Sequence, residues 1–311
     1  MFLSNFVILL ALTLFPSLIV SVQHRPKKNS PAEIQQKQPR TDPLFEVGRA
    51  SRLRHGPETV TELKIISYNI RWRGGEDLRE LIKVFRNDPQ IGGAAVLGLQ
   101  EVDRKKKRTE NVNTARLIAD ELGMYYAWTA PPATTTENEE ETGVAIMSLY
   151  PLTDIQPLVL PHEGPGHRRR AALGATVKIG ATPLRIYSVH SETRIPVELK
   201  MEQLQAVLQD LDKHDAGMPA IVLGDFNTWE PSAVTKTHKL FEGKNFRTLI
   251  GNQPTFLRKI LFFPLELKLD WIWVRNIEVI KAGIDRSISL SDHWPLWTIV
   301  KLPAGMEKKS R

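Results

Sequence analysis

Carboxylate, amide and imidazole side chains stand where predicted apolar strands begin or end in this sequence. Any one of them is most simply explained as part of a turn or a helix cap. Six such strand ends in one chain are harder to explain in this way, because loops at strand ends are where active sites are built. The residues are Asn69, Glu101, His190, Asp225, Asn227, Asp270, Asp292 and His293.

These residue types can form a metal site that is built only from oxygen and imidazole groups. Mg²⁺ takes oxygen ligands and keeps several waters, so one or two carboxylates and an amide suffice to hold it. The chain contains no cysteine, which excludes disulfides, thiol nucleophiles and thiolate metal ligands.

Strands must position these polar residues, and eight apolar runs rich in Val and Ile predict such strands. Three other segments carry apolar residues at helical spacing, around Leu81, Ile118 and Leu208. Several predicted strands follow one another without a helix, which favours a pair of mixed sheets with outer helices over a doubly wound parallel sheet. The strand runs are residues 64–68, 94–99, 143–148, 172–178, 184–190, 220–223, 269–274 and 294–300.

The two ends of the chain differ in composition from this body. An apolar run predicts that residues 1–23 are a signal peptide or membrane anchor, which would place the protein outside the cytoplasm as a secreted, periplasmic or membrane-anchored protein. Residues 24–62 are polar and are predicted to be a flexible linker. One catalytic domain is expected over 63–303, followed by a basic tail over 304–311.

Five motifs, in this order along the chain, resemble the signature motifs of the endonuclease/exonuclease/phosphatase superfamily. That superfamily includes deoxyribonucleases, abasic-site endonucleases, sphingomyelinases and inositol-polyphosphate phosphatases. The resemblance covers about residues 63–302 and implies a four-layer α/β sandwich of two mixed β-sheets flanked by helices. The motifs are Ser67-Tyr68-Asn69, Leu99-Gln100-Glu101-Val102-Asp103, Gly224-Asp225-Phe226-Asn227, Leu269-Asp270-Trp271-Ile272 and Ser291-Asp292-His293-Trp294-Pro295.

The resemblance implies which residues bind metal and which activate water. Glu101 is expected to be the principal metal ligand, with Asn69 beside it, and Asp292 matches a position that also serves metal binding in parts of the family. His293 is expected to take the proton from the attacking water, while Asp270 fixes the orientation of its ring. The expected ion is Mg²⁺, with Mn²⁺ as an alternative.

Three further residues are expected to act on the phosphate. Asp225 and Asn227 are two positions apart, so extended backbone directs both side chains to one side. The resemblance implies that Asp225 positions the water or assists proton transfer, and that Asn227 donates to a phosphoryl oxygen. His190 is expected to contact the phosphate or help the leaving group. The family histidine is usually followed by an apolar residue, whereas Ser191 and Glu192 follow it here.

An arginine cluster supplies the expected substrate contacts. Arg168 and Arg170 are predicted to bind phosphate, because arginine makes bidentate contacts with it, and the formal net charge of +7 suits an anionic partner. The leading prediction is a monomeric, metal-dependent phosphodiesterase that cleaves nucleic acid. A phospholipid or sphingomyelin headgroup hydrolase and an inositol-phosphate phosphatase are the enzyme alternatives. A phosphate-binding scaffold without turnover is the alternative from another class.

Overall fold

The computed structural model describes residues 43–57, 60–132, 141–261 and 263–302. The predicted signal or anchor segment over 1–23, the linker residues 24–42 and the basic tail over 304–311 lie outside the described residues, so they remain predictions. Among the residues that are described, no helix is long and apolar enough to cross a membrane.

Strands dominate the described part of the chain, and helices separate only some of them. In chain order the strands are β1 (Leu44–Arg49), β2 (Glu62–Asn69), β3 (Val96–Arg104), β4 (Tyr125–Ala130), β5 (Glu141–Ser148), β6 (Leu152–Val159), β7 (Ala171–Ile179), β8 (Thr182–His190), β9 (Ala220–Asp225), β10 (Phe256–Ile260), β11 (Phe263–Leu267), β12 (Asp270–Arg275), β13 (Glu278–Ile284) and β14 (Leu296–Lys301). The α-helices are α1 (Gly75–Asn87), α2 (Thr114–Leu122), α3 (Val197–Leu211) and α4 (Pro231–Glu242).

Two mixed sheets pack face to face, as the sequence predicts. The larger sheet has the order β1-β4-β5-β3-β2-β14-β13, and the smaller has the order β12-β9-β8-β7-β6. The pairs β2–β3 and β8–β9 are parallel, and their neighbours are antiparallel. One apolar cluster joins Ile65 and Val96 of the larger sheet to Ile186 and Ile221 of the smaller sheet. The expected α/β sandwich is therefore confirmed.

Helices cover the outer face of each sheet and complete four layers. α1 and α2 bury their apolar faces in one cluster with the larger sheet, and α3 and α4 do so with the smaller sheet. The apolar stripes predicted from the 3.6-residue spacing are the faces that are buried. They include Leu78, Leu81, Ile82 and Phe85 in α1, Ile118 and Leu122 in α2, and Leu204, Val207, Leu208 and Leu211 in α3.

The first strand lies inside the segment predicted to be a linker, so the structure differs from that prediction over Leu44–Arg49. β1 pairs antiparallel with β4 along its full length, and its side chains alternate between half-buried and exposed. Glu46 accepts hydrogen bonds from Tyr126 (2.8 Å) and Arg104 (3.0 Å). No apolar run marks this edge strand in the sequence. Tyr126 and Arg104, which hold it in place, lie far from it along the chain.

β10 and β11 form a separate two-stranded sheet that the sequence analysis did not predict. Apolar side chains at its turn are open to solvent: Leu261 is 86% exposed and Phe263 is 74% exposed. Scattered exposed apolar residues are normal on a protein surface, but two large ones on one short turn are a feature that an interaction can use.

A buried ionic network ties α3 to the smaller sheet. Arg185 of β8 is fully buried and donates to the Tyr187 hydroxyl (3.1 Å) and to the main-chain oxygen of Asp154 (2.5 Å). Asp210 of α3 accepts from Tyr187 (2.7 Å) and lies 3.5 Å from Arg185. Burial alone would raise the pKa of Asp210, but hydrogen bonds from Tyr187 and Lys213 hold that pKa below its usual value. Asp154 Oδ2 lies 3.5 Å from Arg185, and Lys213 Nζ lies 2.9 Å from Asp210. Arg185 and Asp210 therefore compensate each other's charge as part of a wider ionic network.

Replacing Asp210 with Asn should lower the free energy of unfolding by about 3 kcal/mol, because the buried Arg185 loses a carboxylate partner. The lowered pKa of Asp210 means that its contribution is complete at neutral pH and is lost as the pH falls through that pKa. The difference between wild type and variant, measured by urea denaturation, should therefore shrink in acid. Asp212→Asn, at the exposed end of the same helix, is the matched control; equal losses in both variants would contradict this account.

Candidate active site

Three neighbouring strands of the smaller sheet each contribute one predicted catalytic residue to a single row. β8 runs parallel to β9, and this register sets His190 opposite Asp225. β12 runs antiparallel to β9 and sets Asp270 opposite the same residue. Opposite residues lie on one face of a sheet, and here it is the inner face that also carries Ile186 and Ile221. The row is therefore the polar end of the layer between the two sheets.

The larger sheet brings Asn69 and Glu101 to the same end of that layer. Asn69 ends β2, and Glu101 is the extra residue of a β-bulge in β3, where the register shifts between Gln100 and Val102 and φ of Glu101 is 54°. A bulge re-aims a side chain, and here it directs Glu101 towards Asn69. The Asn69 amide donates to Glu101 (3.3 Å) and to Asp225 (3.0 Å). One buried amide thus connects the two sheets at the site.

His293 and Asp270 form a buried pair, in the arrangement that the resemblance implies. His293 Nδ1 lies 2.9 and 3.1 Å from the two carboxylate oxygens of Asp270, and its Nε2 lies 3.8 Å from Asp225 Oδ2. The Phe256 ring packs edge-on against the imidazole, with 5.0 Å between centroids. Burial disfavours the charged ring, but Asp270 and Asp225 outweigh it and raise the pKa of His293 to about 10. The ring is therefore fixed with Nε2 directed at Asp225.

Asp225 lies at the centre of the site. Its Oδ2 is 3.6 Å from His190 Nε2, and its Oδ1 accepts from the main-chain N–H of Asn227 (3.0 Å). Burial is the main cause that raises the pKa of Asp225 to about 7. The Asn227 amide, expected to meet a phosphoryl oxygen, donates here to the main-chain oxygen of Ser191 (3.0 Å). The main chain at Ser191 therefore helps to hold Asn227 beside the row, independently of the serine side chain.

His190 is enclosed between Asp225 and an arginine. Arg170 Nη1 lies 3.4 Å from His190 Nδ1, on the side of the ring away from Asp225. Burial, with the charge of Arg170 in addition, holds the pKa of His190 well below its usual value. His190 is therefore a neutral imidazole at neutral pH, in contrast to His293.

Both predicted phosphate-binding arginines pair with one buried carboxylate. Arg168 and Arg170 each form an ion pair with Glu192, whose side chain is fully buried. From the sequence, Glu192 was only a departure from the family pattern and had no predicted role. An acidic residue two positions after a strand-end histidine, in a chain that also carries an arginine cluster, is the signal that could have identified it.

Asp292 has a cationic partner that the sequence analysis also missed. Arg71 Nη1 lies 3.1 Å from Asp292 Oδ2, and both side chains are partly exposed. The neighbouring Ser291 hydroxyl donates to the main-chain oxygen of Asn69 (2.8 Å), which fastens this loop to the end of β2. Arg71 follows Asn69 by two positions, so its proximity to the site could have been predicted, whereas its pairing with Asp292 could not.

The donor set at this end of the sheets fits a hard divalent ion. Asp225, Asp270 and His293 offer ligand atoms that all lie within 4.8 Å of one another. Glu101 accepts a hydrogen bond from the Asn69 amide. No cationic side chain among the described residues forms an ion pair with Glu101. The carboxylate oxygens of this set suit Mg²⁺ or Mn²⁺ better than a soft metal ion.

Comparison with known proteins agrees with this geometry. The family model described as the endonuclease/exonuclease/phosphatase family matches residues 66–293, more than half of the chain. The chain belongs to this family, whose members act on phosphoester bonds and depend on a divalent metal. No match was found among curated proteins.

Solved structures show the same fold at low sequence identity. An endonuclease/exonuclease/phosphatase from Beutenbergia cavernae DSM 12333 is 19% identical, with a TM-score of 0.62 over 79% of this chain and 73% of that chain. The human Nocturnin catalytic domain with bound sulfate is 18% identical, with a TM-score of 0.60 over 86% of this chain and all of that chain. TDP2 from D. rerio, complexed with single-strand DNA product, is 15% identical, with a TM-score of 0.58 over 78% and 100%.

Asp270 should act on hydrolysis through His293 and not independently of it. Asp270→Asn and His293→Ala should each lower kcat on a phosphodiester by on the order of 10³-fold, and the double variant should lose little more than either single variant. Asp212→Asn serves as the control for non-specific effects. Losses that multiply in the double variant would show that the 2.9 Å contact between Asp270 and His293 has no catalytic consequence.

Proposed function

We propose that this protein is a divalent-metal-dependent phosphodiesterase that cleaves nucleic acid. The observation that carries the proposal is the position of Asp225 between two imidazoles. His190 Nε2 lies 3.6 Å and His293 Nε2 lies 3.8 Å from the same Asp225 oxygen. A carboxylate flanked in this way can orient a water molecule and accept its proton, while the two rings hydrogen-bond the reacting oxygens.

Each side chain has a distinct part in this reaction. Asp270 holds the His293 ring in its charged form, so Asp225 receives the proton that leaves the attacking water and His293 can donate a proton to the departing oxygen. His190 is neutral and directs a ring nitrogen to the same space, where it can hydrogen-bond the phosphate or the leaving oxygen. Asn227 stands beside them as a donor to a phosphoryl oxygen. Glu101 would hold a divalent ion, which when bound would compensate the negative charge of the phosphate.

A basic and aromatic surface next to Glu101 supports nucleic acid as the substrate. The main-chain N–H of Trp72 donates to the main-chain oxygen of Glu101 (2.9 Å). The guanidinium carbons of Arg108 and Arg71 lie 4.3 and 5.4 Å from the centroid of the Trp72 ring. Arg108 is fixed in turn by two hydrogen bonds to the buried Asp103 (2.6 and 2.9 Å). Guanidinium groups and an aromatic ring suit a polyanion that also carries bases.

The similarity to TDP2 points in the same direction, since that protein has been solved with a single-strand DNA product. A second candidate is a phospholipid or sphingomyelin headgroup hydrolase. The exposed Leu261 and Phe263 on the β10–β11 turn favour it, because apolar side chains of this kind can enter a lipid interface. Among the described residues, no structural feature beyond the shared site favours an inositol-phosphate phosphatase.

One substrate panel separates these candidates. The full chain should be incubated with single-stranded oligonucleotide, plasmid DNA, abasic duplex, RNA, sphingomyelin vesicles and inositol phosphates, each with Mg²⁺ and with chelator. Cleavage of a nucleic acid only in the presence of Mg²⁺ is the expected result. Turnover of vesicles alone would replace the proposal with the lipid hydrolase, and activity undiminished by chelator would reject the metal-dependent mechanism.

Replacing Glu101 with Gln should lower turnover by about 10³-fold or more while leaving the fold intact, because the amide keeps the shape but removes the negative charge that holds the ion. The affinity for Mn²⁺, measured by isothermal titration calorimetry, should fall in parallel. Glu110→Gln, an exposed residue on the loop that follows β3, is the matched control and should retain both activity and metal binding. Unchanged Mn²⁺ affinity in Glu101→Gln would remove Glu101 from the metal site.

A further inference from the structure

Glu192 is a fully buried carboxylate to which the proposed reaction assigns no part. Its Oε2 accepts from Arg168 Nε (2.8 Å) and from Arg170 Nε (3.2 Å). Its Oε1 accepts from Arg168 Nη2 and from the main-chain N–H of Arg194 (3.0 Å). One buried side chain therefore gathers two arginines and satisfies both of its own oxygens.

The surrounding loop is built around this carboxylate. Gln203 of α3 accepts from the main-chain N–H of Glu192 (2.8 Å) and donates to the main-chain oxygen of Pro161 (2.7 Å). The main-chain N–H of Gly164 donates to the main-chain oxygen of Arg168 (2.8 Å), which closes the loop that carries the arginines. A Cβ on Gly164 would lie 2.5 Å from Glu192 Cδ, so this close approach requires glycine.

Arg170 connects Glu192 to His190, the first residue of the catalytic row. Its Nη1 faces His190 Nδ1 at 3.4 Å. A guanidinium can only donate hydrogen bonds, so Nδ1 of the neutral imidazole must accept and the ring proton must lie on Nε2. Nε2 is the atom that faces Asp225 at 3.6 Å. The place of Arg170 thus decides which nitrogen of His190 offers a proton to the phosphate.

We propose that Glu192 is a positioning residue, which holds Arg170 against His190 to fix the tautomer of that ring and holds Arg168 ready for the substrate phosphate. This inference rests on the proposed function for its role in hydrolysis. Two adjacent guanidinium groups repel each other, and each has a flexible side chain that would otherwise extend into water. A single buried carboxylate between them offsets the repulsion and holds both side chains in place.

The test compares Glu192→Gln with Glu163→Gln in the full chain. Glu163 pairs with Arg169 (2.7 Å) on the same loop and is exposed, so its variant is a matched control. In wild type and control, NMR of ¹⁵N-labelled histidine should show His190 with its proton on Nε2; the signals are identified by their loss in His190→Gln. In Glu192→Gln both tautomers should appear, and affinity for inorganic phosphate should fall about tenfold.

The kinetic constants give a second measurement, which would not change in this way if the role of Glu192 were purely structural. In Glu192→Gln the KM for the nucleic acid should rise about tenfold and kcat should fall as well, whereas Glu192→Asp should recover part of both. A folded Glu192→Gln variant with an unchanged His190 tautomer and unchanged phosphate affinity would overturn the inference. If Glu192→Gln does not fold, Arg170→Met decides: mixed His190 tautomers support the inference, and an unchanged tautomer rejects it.

The NMR and phosphate measurements require no turnover. A chain that cleaves no nucleic acid would contradict the proposed function. The role of Glu192 would still be judged, from the tautomer and the phosphate affinity alone.

Discussion

Asp225 lies between His190 and Asp270 because three strands share one register, and every other feature of the site depends on that row. The inner faces of β8 and β9 carry Ile186 and Ile221 in the core between the sheets. A slip of one residue would turn both the apolar set and the catalytic set to the opposite face. The packing that stabilises the sandwich is therefore the same packing that aligns the reactive groups.

The bulge in β3 positions Glu101 on the larger sheet, as the strand register positions the catalytic row on the smaller sheet. Regular alternation after Gln100 would direct the next side chain away from the inner layer, where Asn69 lies. The extra residue at Glu101 keeps its carboxylate on the inner side, at the cost of a left-handed backbone conformation. Gln100 itself donates to Ser188 across the layer (3.0 Å), so polar contacts begin where the apolar core ends.

Burial alone did not make a strand predictable: β4 is buried along most of its length, but the sequence analysis did not predict it. The buried strand β9 is a continuous apolar run from Ala220 to Leu223 and could be predicted from the sequence. The edge strand β1 could not, because its stability comes from Tyr126 and Arg104, which are distant in sequence. The same limit applies to the site. Residue types and order identified the reactive groups, but the pairing of Arg170 with Glu192 depends on the path of a loop that no local pattern encodes.

The negative charge of the site would couple the binding of a metal ion to the binding of an anionic substrate. Glu101, Asp225 and Asp270 converge at one end of the sandwich, and among the described residues the cation that lies within this group is His293. The charge of Arg170 is already shared with Glu192. An anionic phosphate that approaches this group meets excess negative charge in a poorly solvated space, where repulsion is strong. A divalent ion bound by these carboxylates would offset that charge, so under the proposed function substrate affinity would depend on occupation of the metal site.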